Sequence, residues 1–281
     1  MIHVFPTEDH VSAGALTFTV NSTSFKNSLI TNLSSIERYM FESDGPLSLA
    51  GGIEALGFID TEGPKDPEGY PDIELMMIGG SVQSDPTFKR NLGIRDDVYN
   101  GMFSSLDAEA NSFMVFPMLM RPNSRGRIKL QSKNPFDYPR ILPNYFDDPH
   151  DMTILIRGIR HMIELTDSTA FRKVNAKLLK PKIAGCTKYA YNSDDFWECF
   201  TRHLPFTIYH YCGTAKMGPA SDRRAVVDPT LRVYGVKRLR VADASVMPQI
   251  ITGHTNGPSI MIGEKAADLI KEAWKIDNKE K

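Results

Sequence analysis

No stretch of this 281-residue chain approaches the roughly 20 consecutive apolar residues that span a bilayer, so no membrane-crossing helix is expected. Charge of one sign is equally lacking. Lys+Arg total 33 against 34 for Asp+Glu, a net charge of -1, which gives no footing for a nucleic-acid or anionic-membrane partner. Met1 to Pro6 carry neither a basic n-region nor a long apolar segment, so no secretory leader is expected there. Cysteine is sparse. Of the three, Cys186 and Cys199 could close a small disulfide loop and leave Cys212 over; three reduced, buried thiols are the alternative, and the sequence leaves both open. There is no Gly-x-Ser-x-Gly elbow, which argues against a serine hydrolase. His210 and His254 have no close-spaced ligand pair beyond Cys212, so no metal site is expected. Repeats and low-complexity tracts are missing too. So is any Gly-x-Gly-x-x-Gly turn, since neither Gly51-Gly52 nor Gly79-Gly80 fits the dinucleotide fingerprint.

What is present is ordinary for a globular chain: 41% hydrophobic and 24% charged residues, with room for one large domain or two modest ones. Gly14 to Val20 alternates like a half-buried strand, and Phe25 to Arg38 reads as helical. Asn21-Ser22-Thr23 and Asn32-Leu33-Ser34 fit the glycosylation acceptor pattern, which also arises by chance. Gly45 to Gly57 and Asp60 to Asp72 read as loops, and Ile73 to Gly80 as a buried strand. Ser112 to Met120 reads as a strand, and Arg127 to Ser132 as its hairpin partner across a solvated basic turn, Arg121 to Gly126. A helix from about Asp151 to Leu165 carries Met152, Leu155, Ile159 and Met162 on one apolar face, with His161 beside it as a structural residue. Ser193 is a good N-cap for a short helix holding Phe196, Trp197 and Phe200.

The densest signal is the stretch from Tyr209 to Trp274. His210 and His254 flank a segment rich in Gly, Pro and small residues. Within it Arg238 to Asp243 reads as a short buried strand ending on an acid, and Pro248 blocks an immediate helix. Gly257-Pro258 opens a closing helix to about Lys275, expected to bury Ile260, Ala267, Ile270 and Trp274 ahead of a charged, fraying tail. A strand, a tight turn and a helix N-terminus together suit an anion or cofactor. The composition shift at Tyr209 marks the best domain boundary.

That stretch resembles the C-terminal segment of the glucose–methanol–choline (GMC) family of FAD-dependent oxidoreductases. The matching residues are His210, Gly213-Thr214, Met217-Gly218, Val227-Asp228, Arg232 to Gly235, Asp243-Ala244-Ser245, Pro248, His254, Asn256, Pro258 and Gly263 to Asp268. Asp9-His10 and Ser124-Arg125-Gly126 extend the likeness, and the Cys186–Cys199 region looks most like the insect glucose-dehydrogenase branch. The resemblance implies an α+β fold. Residues 1–208 would form a substrate-binding domain, a mainly antiparallel sheet backed by helices. Residues 209–281 would supply the strand and helix that complete an FAD-binding domain whose N-terminal half, with its glycine fingerprint, is not in this sequence. It implies FAD-dependent oxidation of an alcohol, with His210 as the base and His254 placing the substrate oxygen. Asp243 and Ala244 would approach the ribityl and pyrophosphate of the cofactor, and His254, Thr255 and Asn256 its pyrimidine edge. Oxygen or a quinone would accept the electrons. A truncated, flavin-free scaffold is the other reading.

Overall fold

In a computed structural model, residues 5–48, 52–63, 69–103, 105–107 and 109–274 can be described. The first four residues and the charged tail beyond 274 lie outside them, as do parts of the two loops expected around Gly51 and Asp60 to Asp72. Ten strands are present among the described residues: β1 (Phe5–Thr7), β2 (Val11–Ser12), β3 (Leu16–Thr19), β4 (Ile53–Ile59), β5 (Ile73–Ile78), β6 (Ser112–Leu119), β7 (Gly126–Lys129), β8 (Arg140–Leu142), β9 (Lys177–Leu178) and β10 (Phe206–Thr207). Every strand pairing described is antiparallel, and helices accompany the strands, an α+β architecture. Two discontinuous compact units divide the chain: Val11–Leu119 with Met152–Phe206, and Met1–His10 with Met120–Asp151 and Thr207–Lys281.

The first unit is organised around β6. All eight of its residues are buried, which its unbroken apolar run requires. β5 pairs along one flank, with Ile73 opposite Leu119 and Ile78 opposite Met114. The other flank is shared by β2 and β3, which are interrupted at Ala13 to Ala15. Pro117 explains the interruption. Its carbonyl accepts from the Ala13 amide at 3.0 Å. A residue's N–H and C=O point the same way along a strand, so the N–H that proline lacks falls on that broken flank, where no ladder bond is lost. Gly14 makes the turn there at φ +84, and a Cβ on it would meet the Phe200 ring at 2.8 Å. Two sequence expectations change here. β3 is buried on both faces, with Leu16, Thr17 and Phe18 all nearly inaccessible; Phe18 stacks on Phe113, and Leu16 and Thr17 lie beside Trp197 and Phe200. The expected loop before Gly57 contains β4, which pairs with β5 along an edge and leaves Leu56 and Phe58 exposed.

Helices complete this unit. Phe25 to Arg38 is two helices, Asn27–Ile30 and Leu33–Glu42; Asn32 separates them by accepting from the Ser34 amide as an N-cap. Ser193 caps Asp194–His203 through the Phe196 amide, as its sequence suggests. That helix buries Phe196, Trp197 and Phe200, whose rings stack edge to face. Cys186 and Cys199 form a disulfide, which settles the alternative left open above.

In the second unit β7 lies between β1 and β8. β6 and β7 therefore do not form the expected hairpin. The connecting residues are held away from any tight turn, because the Asp151 carboxylate accepts from the amides of both Asn123 and Ser124. Nor is the basic turn simply solvated. Arg125 Nε lies 2.9 Å from the buried Glu8 carboxylate, which also accepts from the Ile250 amide. The rest of this unit folds mainly through turns and isolated bridges around a core of Cys212, Val227, Leu231, Val246, Met247, Ile250, Ile262 and Ala266.

Candidate active site

The closing helix, Asn256–Ala273, turns Ile262 and Ala266 into that core. Ile260, Ile270 and Trp274 are exposed instead, so the buried face is rotated from the one the apolar spacing suggests. Arg238 to Asp243 also departs from expectation. Arg238 takes a left-handed backbone at φ 62, Leu239 is exposed, and only an Arg232–Arg240 bridge remains of the strand. At its end the Asp243 carboxylate accepts from the Ser245 amide at 2.8 Å and caps a short turn, Ala244–Val246. The Ala215 and Met217 amides donate to the carbonyls of Ser245 and Val246, so this turn supports the chain just after His210.

His210 and His254 come together. Their rings stand nearly perpendicular with centroids 5.1 Å apart. His210 is buried and His254 half-buried. Burial first, and then the neighbouring His254, push the His210 imidazole down to about 4, so it is neutral at physiological pH and able to accept a proton. Thr255 is buried and precedes the helix without capping it through its side chain, while Asn256 and Gly257 are exposed in the first turn. That end carries the positive pole of an 18-residue helix.

Four residues around this pair, His10, Asp9, Thr207 and Tyr145, are given no role by the sequence. His10, fully buried, lies with Nδ1 2.8 Å from Nδ1 of His210 and with Nε2 3.0 Å from the Ile251 carbonyl. Its neighbour Asp9 accepts from the hydroxyls of Thr207 and Tyr145, both through Oδ2. Desolvation raises the Asp9 carboxyl above its ordinary range against the pull of those two hydroxyls, and burial beside Asp9 raises the Tyr145 hydroxyl. Asp9 and His10 lie two hundred positions from His210 in sequence. The one signal in the sequence is the Asp-His pair itself, which carries the family resemblance and no assigned role.

Among the described residues a second cluster, Cys186, Cys199 and His203, has the spacing of a metal site. Its sulfurs are joined to each other, and His203 Nδ1 bonds the Cys199 carbonyl at 2.8 Å, which commits that nitrogen as a donor.

Comparison with known proteins follows the same lines. The solved structure of a formate oxidase superposes with a TM-score of 0.73 over 96% of this chain and 47% of its own, at 24% identity, a likeness of fold. The GMC oxidoreductase family model matches residues 122–263, half of the sequence, and the chain belongs to that family. It is 35% identical to glucose dehydrogenase [FAD, quinone] of Drosophila melanogaster, over 86% of this chain and 37% of that protein. It is 31% identical to ecdysone oxidase of Bombyx mori, over 95% of this chain and 38% of that one. The chain thus spans little more than a third of the length of these relatives.

Proposed function

We propose that this chain is the part of a GMC oxidoreductase that oxidises the CH–OH group of a small-molecule alcohol, with FAD as cofactor and oxygen or a quinone as final acceptor. The observation that carries this reading is the His210–His254 pair, one ring buried and neutral, set directly before an uncapped helix N-terminus. Oxidising a carbinol removes a proton from oxygen and a hydride from carbon, leaving a C=O bond. FAD, when bound, supplies the hydride acceptor. His210 takes the proton, and His254 hydrogen-bonds the substrate oxygen and aims the C–H.

The residues present fit one side of a flavin. The exposed first-turn amides of Asn256 and Gly257, together with the helix dipole, suit the negative charge that a reduced ring develops. Asp243, exposed at its turn beside Ala244, offers a carboxylate to ribityl hydroxyls, and His254 and Thr255 line the approach to the helix. Residues 209–281 then form the flavin-facing segment, with Glu8 to His10 bonded into it, and the antiparallel sheet before it the substrate-binding domain. No Gly-x-Gly-x-x-Gly turn for the pyrophosphate occurs within this sequence, which spans little more than a third of its relatives' length.

The second reading is a flavin-free binding scaffold. Titrating the purified chain with FAD separates the two. The proposal expects a perturbed visible band that bleaches anaerobically when an alcohol such as glucose is added. A band identical to free FAD at every concentration leaves only the scaffold.

A further inference from the structure

We propose that His10 is a positioning residue that holds His210 in the tautomer with its proton on Nδ1, which leaves Nε2 as the basic nitrogen. The argument begins at the Ile251 carbonyl, which can only accept. His10 Nε2, 3.0 Å away, must therefore carry a proton and donate it. A neutral imidazole has one N–H, so Nδ1 of His10 is left with a lone pair. The atom facing that lone pair at 2.8 Å is Nδ1 of His210, which must be the donor. His210 in its neutral form then has no proton on Nε2.

The opposite polarity would need His10 to be an imidazolium donating from both nitrogens. His10 is fully buried, and the groups that face it are His210, His254 and the carbonyls of Ile251 and Met120. No carboxylate stands among them; Asp9 is turned to the hydroxyls of Thr207 and Tyr145. Burial first, and then His210, hold the His10 imidazole down to about 4, with the two carbonyls pulling the other way. A charged His10 has no counter-charge there.

The arrangement differs from the familiar carboxylate–histidine pair. A carboxylate behind a catalytic histidine fixes its tautomer and also raises its basicity. A neutral histidine in that place fixes the tautomer alone, so His210 rests unprotonated at and below neutral pH. When His210 gains a proton on Nε2, its Nδ1–H to His10 becomes a charge-assisted bond and shortens. The role in catalysis rests on the function proposed above, whereas the tautomer itself does not.

The experiment is nitrogen-15 NMR of the imidazoles in the full chain, which needs neither flavin nor turnover. Wild type should show His210 with a pyrrole-like Nδ1 and a pyridine-like Nε2, and His10 with the reverse. His10→Asn keeps an acceptor near the Nδ1 position and should keep the His210 tautomer. His10→Leu removes it and should let His210 move toward the Nε2–H form that free imidazoles prefer. A proton on Nε2 of His210 in wild type overturns the proposal, and so does an unchanged tautomer in folded His10→Leu; should that variant not fold, the wild-type and His10→Asn spectra decide. In flavin-loaded protein, His10→Leu should lower kcat by roughly ten- to a hundredfold with KM unchanged, within what a positioned base contributes, and His10→Asn should recover most of it. The expected tautomers in a protein that oxidises no alcohol would refute the proposed function and leave the tautomer assignment standing.

Discussion

β6 and the segment after Thr207 show two ways of fixing a backbone. Around β6, strand ladders and apolar side chains do the work. Each residue is buried, Phe18 stacks on Phe113 at 4.9 Å, and Trp197 is wedged between Phe196 and Phe200. Around His210 there is almost no regular structure, and Tyr209 beside it has a left-handed backbone at φ 63. Its position is fixed instead by directed polar bonds: Asp9 to the Thr207 hydroxyl, which in turn accepts from the Tyr209 amide, His10 to the ring, and Glu8 paired with Cys212 through both backbone groups. Apolar packing is tolerant of small changes in angle, while hydrogen bonds fix a ring's orientation and its protons. A unit that must present one nitrogen in one state is built with the second kind of bond.

The comparison can be tested by substitutions that separate chemistry from stability. The largest effect should come from His210→Ala in flavin-loaded protein. Flavin reduction should slow by about 10²- to 10⁴-fold, the range a general base contributes, with little change in the melting temperature. An unchanged rate in rapid mixing would take the base role away from His210. Trp197→Ala should do the reverse, costing about 3–5 kcal/mol of stability by emptying a fully buried site, which denaturant titration measures. A loss well below that range would mean the helices around β6 close over the gap.

Acid should distinguish the two regions by a smaller margin. The folded-state values of His10 and His210 lie near 4, below the ordinary 6.5, so their contribution to stability is complete above pH 6.5 and is lost as pH falls toward 4. For His10 alone the loss reaches roughly 3 kcal/mol at about 1.4 kcal/mol per unit. Asp9 has a raised value and takes up a proton in the same direction, which offsets part of this. Hydrogen exchange, corrected for its intrinsic pH dependence, should show segments near His210 losing protection over that window before β5 and β6 do. Equal loss in both would break the comparison.

How much of this was legible in the sequence depended on the kind of contact involved. The unbroken apolar run of β6, the Ser193 cap and the amphipathic helix Pro149–Leu165 were readable because each is a local pattern with a local cause. The supposed β6–β7 hairpin was not, because the ion pair and carboxylate that open Arg121 to Gly126 come from Glu8 and Asp151. The closing helix is legible but its buried face is not, since Ile260 and Ile270 are as apolar as Ile262 and only the core decides among them. At the candidate site, His210 and His254 stood out through the motif around them. His10 did not, because a histidine's partner is chosen by the fold and leaves no periodicity in the chain.

Pro117 has a consequence for assembly as well as for architecture. Uniformly apolar strands can slide, since a shift by two residues exposes nothing new to water. In β6 such a shift would carry the proline away from the gap at Ala13 to Ala15 and set its ring against an intact neighbouring strand. It would also bring a side chain to the place where only Gly14 fits against Phe200. The proline and the glycine thus work as a paired keyway: strands that meet out of step cannot seat, and the sheet closes in a single alignment.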